Sequence, residues 1–100
     1  MDQPLRVEEL LSRISSLDWR HAIYLATEHN LLALGSDCVV AESDEETDVR
    51  LAAAGLKYFI GVHEVQSVIE NLRQQLDAPK LEDILDAVNH YSEYDAFKVY

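Results

Sequence analysis

Gly55-Leu56-Lys57-Tyr58-Phe59-Ile60-Gly61-Val62-His63-Glu64-Val65-Gln66-Ser67-Val68-Ile69-Glu70-Asn71-Leu72-Arg73-Gln74-Gln75-Leu76 changes its period at the second glycine. Before Gly61, Leu56 to Ile60 is a short apolar and aromatic run between glycines, the composition of a strand. After it, Val62, Val65, Val68, Ile69, Leu72 and Leu76 recur largely at steps of three and four, with Glu64, Gln66, Glu70, Arg73 and Gln74 between them. That spacing lays one apolar stripe along a helix and turns the polar residues to water. A strand running straight into an amphipathic helix is the core of an α+β reading of the chain.

Working outward, Asp77-Ala78-Pro79 breaks this helix and opens another, with Asp77 as its cap, Pro79 in its first turn and Leu81, Ile84, Leu85, Val88 and Tyr91 on its buried side. Asp95 to Tyr100 reads as a short edge strand through Ala96-Phe97-Lys98-Val99. Upstream, Asp44 to Ala54 permits a helix: acids crowd its start, Ala52 to Ala54 favour it, and Gly55 supplies a left-handed stop. Cys38-Val39-Val40-Ala41 and Ala22-Ile23-Tyr24-Leu25-Ala26, within Trp19 to Thr27, read as two strands of an antiparallel hairpin or meander. Gly35-Ser36-Asp37 is a turn between them, and Leu31 to Leu34 stays open between a strand start and a bend. At the N-terminus, Leu5, Val7, Leu10, Leu11, Ile14 and Leu17 predict a helix that begins near Pro4. The expected architecture is one α+β domain over 1–100: an N-terminal helix, a small, mostly antiparallel sheet of three or four strands, and two C-terminal helices on one face. No repeat or linker divides the chain.

Composition bounds the function. A chain of 100 residues, 48% hydrophobic, with three Gly and two Pro, supports one packed core. Nineteen Asp and Glu against eight Lys and Arg give a charge of −11. Such a field opposes nucleic acid and anionic membranes and favours a basic protein partner. No apolar run reaches the ~20 residues that span a bilayer, and the N-terminus lacks the pattern of an export signal. The single cysteine, Cys38, cannot close an internal disulfide and suits a reducing compartment, so a cytoplasmic location is expected.

The strongest local charge is Glu42, Asp44, Glu45, Glu46 and Asp48, five acids in seven residues. Their adjacency and the missing central glycine do not fit a calcium loop, so they are expected to face water or a basic partner. Asp83, Asp86, His90 and Glu93 fall at helical steps and form a second acidic stripe, opposite the buried side of their helix. Solvated carboxylates of that kind make poor general acids. One Cys and His21, His29, His63 and His90 match no zinc spacing, and no cofactor is expected. Cys38, on a strand next to Val39, reads as a small core residue more simply than as a nucleophile. A phosphate loop and a nucleophile elbow are both missing. Trp19, Tyr24 and Phe59 are assigned to the core, and Tyr91, Tyr94 and Tyr100 to a candidate interface.

Several short blocks taken in order carry a resemblance: Trp19 with Ile23-Tyr24-Leu25, Cys38-Val39-Val40 followed by acids, Gly55-Leu56-Lys57-Tyr58, Gly61 to Asn71 with Gln75, and Asp95-Ala96-Phe97. Over Trp19 to Phe97 the chain resembles a domain of unknown function found in small acidic bacterial proteins. That resemblance implies no activity and no site residues. By class and charge the chain is also similar to immunity proteins, whose acidic faces block basic toxins. The expected function is therefore non-enzymatic protein binding, most concretely a cytoplasmic immunity-type inhibitor. Glu42, Asp44, Glu45, Glu46 and Asp48 would make the contact, and Asp83, Asp86, Glu93 and Tyr94 would add to it. The alternatives are a small dimeric regulatory or structural subunit and a small enzyme using Cys38 or a histidine.

Overall fold

The computed structural model describes residues 2–99. The elements run β1 (Gln3–Arg6), α1 (Val7–Arg13), a 3-10 turn (Ile14–Ser16), β2 (His21–Ala26), β3 (Asp37–Glu42), α2 (Glu45–Ala53), β4 (Leu56–Gly61), α3 (Val62–Gln75) and α4 (Leu81–Tyr94). The four strands form one antiparallel sheet in the order β1-β3-β2-β4. The α+β class, the β2–β3 hairpin and the paired C-terminal helices against the sheet agree with the sequence.

Both faces of the sheet are covered, which explains why β2 reads as an unbroken apolar run instead of alternating. Ile23 and Leu25 join Cys38, Val40 and Ile60 in a large core under α1, α3 and α4. Ala22 and Tyr24 point the other way and pack with Ala41 beneath Leu51 of α2. Each strand thus splits its side chains between two cores, as a period of two requires. On β4 the register slips: Ile23 opposes Ile60 while Tyr24 opposes Tyr58, so Phe59 is an extra residue. This bulge lets Phe59 and Ile60 both serve the larger core.

Three sequence expectations are corrected. The N-terminal helix does not begin near Pro4. Leu5 and Val7 stand two apart, a strand step, and Gln3–Arg6 pairs with β3, Leu5 opposite Cys38. Pro4 is tolerated because β1 is an edge strand. The last helix is not capped by Asp77, and Pro79 is not in its first turn. α4 starts after Lys80, whose N–H donates to Asp83 Oδ2 at 2.9 Å. The C-terminal segment is not a strand in its described part, and Tyr100 lies outside the described residues. Asp95 adopts a left-handed φ of 54° and closes α4 through its N–H to Tyr91 O. The chain then folds back over the helices, Phe97 ring against Tyr91 ring and Lys98 O accepting from Gln75 Nε2, away from any strand edge.

Candidate functional site

Helix α2 and the end of β3 hold the dense acid run, and the structure divides its members into two kinds. Asp44 is the helix cap: its Oδ1 accepts from the Thr47 N–H at 2.7 Å, which holds its carboxyl below the usual range. Asp48 accepts the hydroxyl proton of Tyr24, a side chain only 1% exposed, and ties α2 to the sheet. Burial, then this bond and the nearby negative charge, raise the Tyr24 phenol well above its ordinary value. Glu42, Glu45 and Glu46 are exposed, and with them Val49, at 67% exposure. Asp44, Glu45, Glu46, Val49 and Arg50 line one shallow depression. The run thus presents an exposed valine beside the carboxylates of Asp44, Glu45 and Glu46 and the guanidinium of Arg50, which pairs with Asp2.

The second acidic stripe divides in the same way. Asp83 accepts the Lys80 N–H at the start of α4, and Asp86 pairs with the Lys98 ammonium. Glu93 remains exposed, and Tyr94, 61% exposed, stays at the surface with its ring 4.7 Å from that of His90. Since α2 lies over one face of the sheet and α4 belongs to the opposite core, the two acidic surfaces do not form one patch. Much of the acidity is architectural: Glu9, Asp44, Glu64 and Asp83 each satisfy a backbone N–H at a helix start.

The end of the sheet where β2 begins and β4 finishes gathers further polar and aromatic side chains. Asp18 grips the Arg20 guanidinium through two bonds, 3.1 Å to Nε and 2.8 Å to Nη2, and this holds its carboxyl far below the usual range. His21 Nε2 lies 3.8 Å from Asp18 Oδ2. Trp19 is 61% exposed and meets the His63 ring edge-on, so its assignment to the core is corrected. It follows the helix-to-strand break and precedes β2, where no layer covers it. Tyr24 is buried as expected, Phe59 packs at the core margin, and Tyr91 is half-buried against the core.

Cys38 is 2% exposed, and burial, reinforced by Asp37, Glu8 and Glu9, pushes its thiol up to about 12. At neutral pH it is a protonated core residue, the form that is poor as a nucleophile. Among the described residues no group of three His, Cys, Asp or Glu side chains is arranged to hold a metal ion. No described helix is long and apolar enough to cross a membrane.

Sequence reading missed two polar clamps. Asn89 of α4 accepts from Leu32 N at 2.8 Å and donates to Leu32 O at 2.9 Å, which pins the β2–β3 loop as a neighbouring strand would. Gln66 Nε2 donates to Ile14 O and Leu17 O and fixes the end of the 3-10 turn. Their signal was present: Asn89 stands four after Leu85, and Gln66 four after Val62, so each is polar at a core spacing.

Fold and surface together define a small α+β domain built on a four-stranded antiparallel sheet. By its sequence the chain belongs to a family described as a domain of unknown function (DUF7716), whose pattern it matches over residues 4–100. No curated protein and no solved structure matches it.

Proposed function

We propose that this protein is a non-enzymatic protein-binding module of the cytoplasm, most concretely an immunity-type inhibitor that sets its acidic α2 surface against a basic protein. The observation that carries the reading is Val49, 67% exposed, in one depression with Asp44, Glu45, Glu46 and Arg50. An apolar centre within a charged rim is the anatomy of a protein interface, and a net charge of −11 steers a basic partner toward it. Asp44 and Asp48 shape that surface from within, through the cap and the Tyr24 bond. A dimeric subunit is the alternative, favoured by exposed Tyr94 and Val99 near the C-terminus.

The test is recovery of partners from the native cell on the wild-type protein and on a Glu42→Lys, Glu45→Lys, Glu46→Lys variant, followed by association kinetics with any protein recovered. The expected result is a basic protein recovered on the wild type and depleted on the variant, with association slowed roughly tenfold or more in the variant and slowed by salt in the wild type. Equal recovery on both, or a stable dimer that recruits nothing, overturns the reading.

A further inference from the structure

On β4, Lys57 stands opposite Leu25 and shares its face of the sheet, the face of the larger core. At the margin of that core a groove of about 440 Å³ opens between β4, the β2–β3 loop and the last turn of α4. Its volume is within the range of pockets for small molecules, and its walls differ in chemistry. The strand and loop side contributes Lys57 and Asn30, and the helix side contributes Ser92 and Glu93. Leu31, Tyr58 and Phe59 supply the apolar part.

The two polar walls offer opposite partners. The Lys57 ammonium donates one bond to Asn30 Oδ1 at 2.8 Å, which leaves its other N–H groups and those of the Asn30 amide as donors. Ser92 donates its hydroxyl proton to Asn89 O at 2.9 Å and keeps its oxygen as an acceptor next to Glu93. No basic residue stands in the last turn of α4, so the carbonyl end of the helix adds negative potential on that side. Arg6, Arg20, Arg50 and Lys98 each meet a carboxylate. Lys57 and Glu93 line one groove, yet they make no ion pair with each other or with any other of the described residues. The Asn89 clamp on Leu32 ties the loop to α4 and so holds these walls in place.

We infer that this groove binds a small zwitterion of the amino-acid type, with its carboxylate on Lys57 and Asn30, its ammonium on Glu93, and an apolar side chain against Leu31, Phe59 and the ring of Tyr58. Opposite charges held apart across a preformed groove complement a molecule that carries both, and a molecule with one charge leaves the other wall unmatched. Leu31 and Tyr58, each 48% exposed, have apolar surface to lose to such a guest. The Tyr58 hydroxyl donates to Glu64 Oε1 at 3.2 Å, so this residue offers its ring. The groove belongs to the face of the sheet opposite α2, so this inference stands or falls apart from the function proposed above.

The experiment titrates the full chain with three probes that share a phenyl body: phenylalanine, 3-phenylpropionate, which has only the carboxylate, and 2-phenylethylamine, which has only the ammonium. Binding is followed through backbone NMR shifts. The expected result is saturable binding of phenylalanine with a Kd on the order of 1 mM or below, and shifts at Asn30, Leu31, Lys57, Phe59 and Glu93. Each single-charge probe should bind about tenfold more weakly, the order of one charged hydrogen bond lost. Lys57→Gln should weaken phenylalanine and 3-phenylpropionate and spare 2-phenylethylamine, and Glu93→Gln should do the reverse, with thermal midpoints confirming that both variants fold. No saturation below about 10 mM, shifts outside the groove, 2-phenylethylamine binding as tightly as phenylalanine, or variants that weaken all three probes alike would each overturn the inference.

Discussion

Removing the two partners of the Tyr24–Asp48 hydrogen bond should cost unequal amounts, and the difference follows from where each group sits. Tyr24 is 1% exposed, whereas Asp48 lies on the exposed side of α2. Tyr24→Phe removes the hydroxyl and leaves a carboxylate that water can reach, so the loss is the net worth of one bond to a charged group, about 1.5 kcal/mol. Asp48→Ala removes the same bond and also strands a buried hydroxyl, whose other neighbour, Glu42 O, is 3.5 Å away. The desolvation penalty brings that cost to about 3 kcal/mol. For a domain of this size these values correspond to midpoint shifts of about 6 °C and 12 °C. Asp48→Asn, which keeps an acceptor, should fall nearer the smaller value. In a Tyr24→Phe background, Asp48→Ala should become an ordinary surface substitution, within about 0.5 kcal/mol. Urea unfolding followed by far-ultraviolet circular dichroism is the assay, because Trp19 is already 61% exposed in the folded protein and reports poorly. An Asp48→Ala cost no greater than that of Tyr24→Phe, or simple additivity in the double variant, would refute the reasoning.

The other predictions concern caps, clamps and buried titratable groups. Asp44→Ala should destabilise by about 1 kcal/mol through loss of the α2 cap, while Glu46→Ala should stay within about 0.5 kcal/mol, and denaturant titration separates them. Asn89→Leu should cost about 2 kcal/mol by leaving Leu32 N and O unpaired, and the Leu32 amide should exchange faster than in the wild type. In alkali, Cys38 favours the protonated form when folded, with a value near 12 against an ordinary 9.0. Its contribution is therefore complete below pH 9 and is lost as pH rises toward 12, with Tyr24 and Tyr58 acting in the same direction. Thermal midpoints measured across that range should fall with pH, and less steeply in Cys38→Ala.

Periodicity was legible wherever one face of an element decides its environment. Val62 to Leu76 gave α3, and Gly55, with φ of +82°, stopped α2 where a left-handed residue was expected. The segment at Leu5 misled because Leu5 to Val7 is a strand step that runs into helical steps without a break. The acidic residues were legible as a surface and illegible as individuals. Nothing in Glu42 to Asp48 distinguishes the two carboxylates that cap and brace from the other three, all five being exposed, since that depends on Thr47 N and Tyr24 lying within reach.

What the sequence determined by itself is what local chemistry controls: the amphipathic helices, the hairpin, the glycine stop, the net charge, and the absence of a reactive motif. Only the tertiary structure decided which strand lies at an edge, which face α2 covers, and that the two acidic stretches occupy opposite sides of the molecule. The physical reason is distance along the chain. Period and propensity act over a few residues, whereas the β1–β3 pairing, the Asn89 clamp on Leu32 and the Tyr24–Asp48 bond join residues far apart in sequence, through contacts that exist only once the two cores have closed.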